Sequence, residues 1–145
     1  QISDGGSAMV IMSAAKAAEL SVAPLAEVLS FAMVAGPDTC LLTQPSRAIT
    51  KALSKIELEL DDIDLFELNE AFAAVGIAAS ADLGVSEDIV NVNGGAVALG
   101  HPIGMSGNRL ALTLIHELRR RGGGVGAAAL CGGGGQGDAL IVRTL

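Results

Sequence analysis

The chain has 145 residues, half of them hydrophobic, and a formal charge of −7. That length supports one domain with a substantial core. The acidic balance, the absence of Trp and Tyr and the presence of only three Phe argue against a nucleic-acid surface, which needs basic patches and stacking rings.

Mean hydropathy is high, at +0.53. No apolar run long enough to span a bilayer is free of a charge or a glycine break, so no membrane span is expected. The hydropathy is better explained by elements buried on two faces, or by a large interface with an absent partner. Cys40 and Cys131 are the only cysteines and form no disulfide framework, which suits a reducing compartment. The opening Gln1-Ile2-Ser3-Asp4-Gly5-Gly6 reads as a polar turn without a signal-peptide pattern, and Arg143-Thr144-Leu145 is not a peroxisomal address. A cytoplasmic location is the expectation.

In chain order, Ala8 to Ser13 reads as a short apolar strand. Ala14 to Leu20 reads as a helix with Ser13 as N-cap. Leu25 to Ala35 reads as a strand, Gly36-Pro37-Asp38 as a turn, and Ser46 to Lys55 as a helix with Ile49 and Leu53 in phase. The acidic stretch Glu57 to Glu70 reads as a solvated loop enclosing a short strand, Ile63 to Leu68. Glu70 to Leu83 is apolar nearly all round and predicts a helix covered on every side, ended by Gly84. In the chain by itself one face of that helix would be exposed. Ser106 to Arg121 is amphipathic through Ala111, Leu114, Ile115 and Leu118, and its closing arginines suit the negative end of a helix. Val125 to Leu130 and Ala139 to Val142 predict a hairpin-like strand pair. This order indicates a layered α/β domain over 1–145, without internal repeat or flexible linker.

Two glycine-rich turns each present one reactive side chain. Asn93-Gly94-Gly95 leads through Gly100 to His101, and Cys131 precedes Gly132-Gly133-Gly134-Gly135. Glycine lets backbone approach a ligand closely, and imidazole and thiol suit proton transfer and thioester chemistry near neutral pH. Nucleotide readings fail on context. Gly132, Gly134 and Gly137 match a dinucleotide fingerprint, but a strand follows where a helix is needed. Gly95 to Gly100 has P-loop spacing, but His101 stands where Lys belongs.

Four motifs occur together in one order: Asn69-Glu70-Ala71-Phe72, Asn93-Gly94-Gly95, Gly100-His101-Pro102 with Gly104 and Ser106-Gly107, and Cys131-x-Gly133-Gly134. In order and approximate spacing they resemble the C-terminal half of a thiolase. The stretch Ile2 to Ala8 also resembles the opening of that family's C-terminal domain. The resemblance implies a thiolase-like layered fold, with a mixed β-sheet packed by helices. It implies acyl transfer between CoA thioesters, by Claisen condensation or its thiolytic reverse. His101 would activate the nucleophilic thiol and help to stabilise an enolate oxygen. Cys131 would be the general acid/base, its thiol shifted down near positive charge or backbone N–H groups. Asn69 would hold a water that completes the enolate site, and Gly133 would lend a backbone N–H to a second oxyanion hole. Asn69 is equally suited to cap a helix starting at Glu70, whose own carboxylate would favour that helix's first turn. His116 reads as a helix-surface residue and Cys40 as a structural one.

The resemblance further implies CoA thioesters as substrates, with no cofactor and no metal. Acyl-CoA and CoA would be its small-molecule partners, a nucleophile-bearing N-terminal half its protein partner, and a homo-oligomer its assembly. The chain alone would then be inactive. One segment departs from the family: Leu42-Thr43-Gln44-Pro45-Ser46-Arg47-Ala48 stands where thiolases carry Gly-x-Gly-Pro-x-Pro-Ala. Since that segment lies near the acyl pocket in the family, the departure bears on substrate size. A ketosynthase-type condensing enzyme usually has histidine in place of Cys131. A non-catalytic lipid-binding or partner-binding module would not need Asn69, His101 and Cys131 together.

Overall fold

The structure is a computed structural model and describes residues 2–145. Four strands form one mixed sheet: β1 (Ala26–Ala35), β2 (Leu65–Leu68), β3 (Val125–Gly132) and β4 (Gln136–Thr144), in the spatial order β1-β4-β3-β2. β4 runs antiparallel to both β1 and β3, whereas β2 and β3 are parallel. Helices α2 (Gln44–Leu53) and α3 (Ala73–Leu83) lie on one face, and α5 (Ser106–Arg120) lies on the other. The short helices α1 (Ala14–Glu19) and α4 (Ala96–Leu99) complete the chain. The expected layered α/β architecture is therefore present.

Strand alternation divides the core in two. Phe66, Leu68, Ala127, Ala129 and Ile141 face α2 and α3 with Ile49 and Ala79. Leu65, Ala128 and Val142 face α5 with Leu110, Leu114 and Leu118. The middle of β3, Gly126 to Ala129, is all glycine and alanine, so helices can lie close on both sides of it. At Gly126 this closeness is strict, because a Cβ there would press into the Leu114 side chain.

Local signals set most boundaries. Ser13 caps α1 by accepting from Lys16 N at 3.2 Å. α3 ends at Gly84, which is left-handed at φ 69. Leu110, Ala111, Leu114, Ile115 and Leu118 make the buried stripe of α5. At its C-terminus Arg120 and Arg121 bind Glu117, and Arg119 donates to Leu25 O and Leu145 O.

Three expectations fail. Ala8 to Ser13 forms no strand: Val10 and Ile11 are 81% and 76% exposed, and among the described residues no neighbouring strand offers a ladder for its backbone. The helix expected from Glu70 begins only at Ala73. It packs through Val75, Ala79, Ser80 and Leu83, and Ile77 on its other side is 69% exposed, the one open face expected of the chain by itself. The acidic stretch is not wholly solvated either, because Glu67 in β2 is 2% exposed. Among the described residues, no helix is long and apolar enough to cross a membrane.

Candidate active site

The parallel pair β2/β3 positions the first two groups. Leu68 pairs with Ala129, and Asn69 N donates to Ala129 O at 2.9 Å. Asn69 thus sits just past the carboxyl end of β2, and Cys131 lies near the carboxyl end of β3. In open α/β sheets, crevices at the carboxyl ends of strands are where ligands bind.

Asn69 is buried, with its Nδ2 3.3 Å from His101 Nε2. His101 Nδ1 lies 2.6 Å from Ser106 Oγ, and Ser106 Oγ donates to Pro102 O at 3.0 Å. A carbonyl can only accept, and the Asn69 amide needs an acceptor at Nε2, so we assign the single hydroxyl proton of Ser106 to Pro102. The hydroxyl oxygen then accepts from His101 Nδ1–H. This leaves Nε2 as the acceptor for the Asn69 amide and points its lone pair toward the site. Asn69 Oδ1 is buried without a protein partner. The expected capping role of Asn69 is not observed: α3 starts four residues later, with Phe72 at its N-cap and no side-chain cap bond.

The turn bearing His101 is held from below. Asn91 adopts positive φ, at 47, and its side chain bonds both Leu68 N and Leu68 O at 2.8 Å. Its Nδ2 also donates to Glu70 Oε1 at 3.0 Å, while Glu70 Oε2 accepts from Val97 N at 2.9 Å. Glu70 therefore serves the first turn of α4 and not that of α3. A Cβ at Gly95 would collide with the Glu70 carboxylate, so that position requires glycine. The roles of Asn91 and Ser106 were missed from sequence. Ser106 stood within the Gly100-to-Gly107 motif, six residues past Gly100, which was the signal for it. A groove of about 460 Å³ opens beside this turn, between Ser3–Ser7 and Pro102–Met105.

Cys131 pairs in register with Gly137 and is half-buried. Burial pushes its thiol up from the ordinary value, with a backbone hydrogen bond opposing. The expected downward shift is thus reversed, because desolvation of the thiolate outweighs the N–H group nearby. Gly133 lies in the exposed turn between β3 and β4, and its carbonyl accepts from Gln136 Nε2 at 3.1 Å. That turn leans on the loop before α2. A Cβ at Gly135 would strike Asp38, and one at Gly137 would strike Gln44. Gln44 Nε2 in turn donates to Gly36 O at 2.9 Å and Cys40 O at 3.1 Å. Cys40 is exposed in this loop, which therefore braces the Cys131 turn. His116 is exposed on α5, as expected. The structure joins Asn69 to His101 directly and carries Cys131 to the end of the adjacent strand. Among the described residues, no hydrogen bond joins the thiol to either.

Comparison with known proteins agrees with this architecture. The family described as "Thiolase, C-terminal domain" matches residues 22–144. The chain is 56% identical to the probable acetyl-CoA acetyltransferase of Mycobacterium tuberculosis, over 99% of this chain and 36% of that protein. It is 48% identical to the 3-ketoacyl-CoA thiolase of Bacillus subtilis, over 97% and 36%. The crystal structure of the Bacillus anthracis acetyl-CoA acetyltransferase superposes with a TM-score of 0.89 at 45% identity, over 92% of this chain and 34% of that one. Human mitochondrial 3-ketoacyl-CoA thiolase in complex with CoA gives 0.88 at 41% identity, over 91% and 34%. The chain belongs to the thiolase family and corresponds to its C-terminal domain. It spans about a third of the length of the curated relatives it matches. The Ile2 to Ala8 stretch lies outside the matched domain, although the Mycobacterium relative aligns over nearly the whole chain.

Proposed function

We propose that this chain supplies the carbanion-forming half of a thiolase active site, in an enzyme that moves acyl groups between CoA thioesters. The observation that carries this reading is the buried Asn69–His101 contact, 3.3 Å long, with Asn69 Oδ1 left free. A free, buried acceptor beside an oriented imidazole suits a water that donates to Asn69 and presents its other proton to an enolate oxygen.

In this scheme a cysteine outside this chain is acylated, and His101 takes its proton at Nε2, the nitrogen left unprotonated by the Ser106 bond. The Cys131 thiol loses its proton to the CoA thiolate released on acylation, a step that solvent can also serve, and the thiolate left behind removes the α-proton of a second acyl-CoA; in thiolysis the thiol returns that proton to the departing carbanion. A thiol pushed up by burial stays protonated at rest, which suits the donor role, and its thiolate, once formed, is a stronger base. The backbone N–H of Gly133 stabilises the tetrahedral intermediate. The scheme takes CoA thioesters as substrates and calls for neither metal nor nucleotide cofactor. Its setting would be a cytoplasmic homo-oligomer. Gln44 and Arg47, bonded to each other at 2.9 Å, replace family glycine and proline beside the Cys131 turn. They are the first positions to examine for acyl-chain preference.

The test joins this chain to the N-terminal remainder of the Mycobacterium tuberculosis relative and assays acetoacetyl-CoA formation from acetyl-CoA. Turnover is expected from the joined enzyme. The chain alone should yield neither acyl-protein nor acetoacetyl-CoA, since nucleophile and base must be separate groups. A folded joined enzyme without turnover contradicts the reading.

A further inference from the structure

Behind the Asn69–His101 contact lies a polar pair that the scheme above does not use. Glu67 on β2 precedes Asn69, just past the end of that strand, by two residues, so strand alternation puts both on the α5 side of the sheet with Leu65. Arg109 follows Ser106 by three residues on α5, which puts both on one helical face. Arg109 Nη1 meets Glu67 Oε2 at 3.0 Å, with the two side chains only 15% and 3% exposed. The strand carrying Asn69 and the helix carrying the His101 anchor are thus tied one step behind the site.

Stability is a weak explanation for this tie. Leu65, Leu110 and Leu114 surround the same interface, and an apolar pair could fill the space without desolvating two charges. Burial acts on Glu67 more strongly than Arg109 relieves it, and pushes its carboxyl up to about 7. Arg109 Nη2 is also buried without a protein partner. What a directed, charge-assisted hydrogen bond supplies, and leucine packing does not, is a fixed point of register between helix and strand. Apolar side chains would let α5 slide along β2. The consequence of such sliding falls on the distance between Asn69 Nδ2 and His101 Nε2, because Ser106 fixes the imidazole to the helix.

We propose that the Glu67–Arg109 pair is a positioning device, which sets the register of α5 against β2 and thereby holds the Asn69 amide and the His101 imidazole at their working separation. This rests on the thiolase reading for its catalytic meaning, but its structural content stands apart from it.

The experiment compares the wild type with the double variant Glu67→Leu/Arg109→Met, using two readouts. In this chain labelled with ¹⁵N-histidine, the wild type should show His101 in the Nδ1-protonated form with Nε2 as acceptor. The double variant should keep its Tm or raise it. Its His101 signals should nevertheless be shifted and exchange-broadened. In the joined enzyme, kcat should fall on the order of 100-fold with KM little changed, as expected for a small misplacement of reacting groups. Unchanged His101 signals overturn the proposal, as does full kcat in the double variant. If the double variant does not fold, Arg109→Met alone decides by the same readouts, since it removes the Nη1–Oε2 bond and a lone buried Glu67 can take up a proton. It should broaden the His101 signals, and intact signals again overturn the proposal. If the wild-type joined enzyme is inactive, the thiolase reading falls and the imidazole spectra alone decide this one.

Discussion

Helix α5 is flanked by two buried carboxylates, Glu67 toward its N-terminal half and Glu117 near its C-terminus, and their surroundings are opposite. Glu117 meets Arg120 at 2.6 Å and Arg121 at 2.7 Å, and those cations remain 70% and 43% exposed. Hydrogen bonds from Arg120 first, and then Arg121, hold its carboxyl well below the usual carboxylate range. Glu67 meets one cation that is itself buried, and desolvation pushes it up. At the C-terminal end the charged groups are paired and wetted, as in a helix cap. At the other end Asn69 Oδ1 and Arg109 Nη2 are both buried without a protein partner. Native proteins leave buried polar atoms unpartnered rarely, and mostly where function needs them. On the proposed function, the difference separates a structural end of α5 from its working end.

The sharpest way to break this comparison is to remove groups at the working end. His101→Ala should lower kcat of the joined enzyme about 1,000-fold or more, with both acylation and condensation slowed, which rapid-quench assays can separate. Loss of one step alone would break the dual role of the imidazole. Asn69→Ala should lower kcat about 100-fold to 1,000-fold, the range for one oxyanion-site group. A Glu117→Gln variant should do the reverse, lowering Tm at neutral pH while leaving kcat intact.

The two carboxylates should also respond to pH with opposite signs. The folded value of Glu117 is lowered, so its stabilising contribution is present above the ordinary glutamate value and is lost as pH falls. The difference in Tm between wild type and Glu117→Gln should therefore shrink in acid. The folded value of Glu67 is raised from 4.5 to about 7, so its contribution is full below pH 4.5 and is lost as pH rises through 7. Urea midpoints of Glu67→Gln relative to wild type should accordingly rise across that window. The smallest effect belongs to exposed His116: His116→Ala should change stability by less than about 0.5 kcal/mol.

The working end was partly legible in the sequence. His101 and Cys131 stood out because glycine-rich turns around a reactive side chain are unusual, and the α5 stripe followed from a 3.6-residue period. Glu67 was hidden because a charge inside an acidic stretch looks solvated, and only the Arg109 placement across 42 residues reveals its burial. The helix start after Asn69 was misplaced because Glu70 looks like a first-turn acid, whereas its carboxylate reaches Val97 N, 27 residues away. Ala8 to Ser13 carries the apolar pattern of a strand, but a strand also needs a neighbour, which no local pattern supplies. The reversed shift of the Cys131 thiol likewise depends on burial, which residue identity alone does not give.

The most direct test of the proposed division of labour is Cys131→Ser in the joined enzyme, with acylation and condensation measured separately. A hydroxyl is a poor base at neutral pH. The acyl-enzyme should therefore still form from acetyl-CoA while acetoacetyl-CoA production and exchange of the α-proton nearly cease. If Cys131→Ser instead blocks acylation and leaves α-proton exchange intact, Cys131 is the nucleophile and the proposed assignment of roles is contradicted.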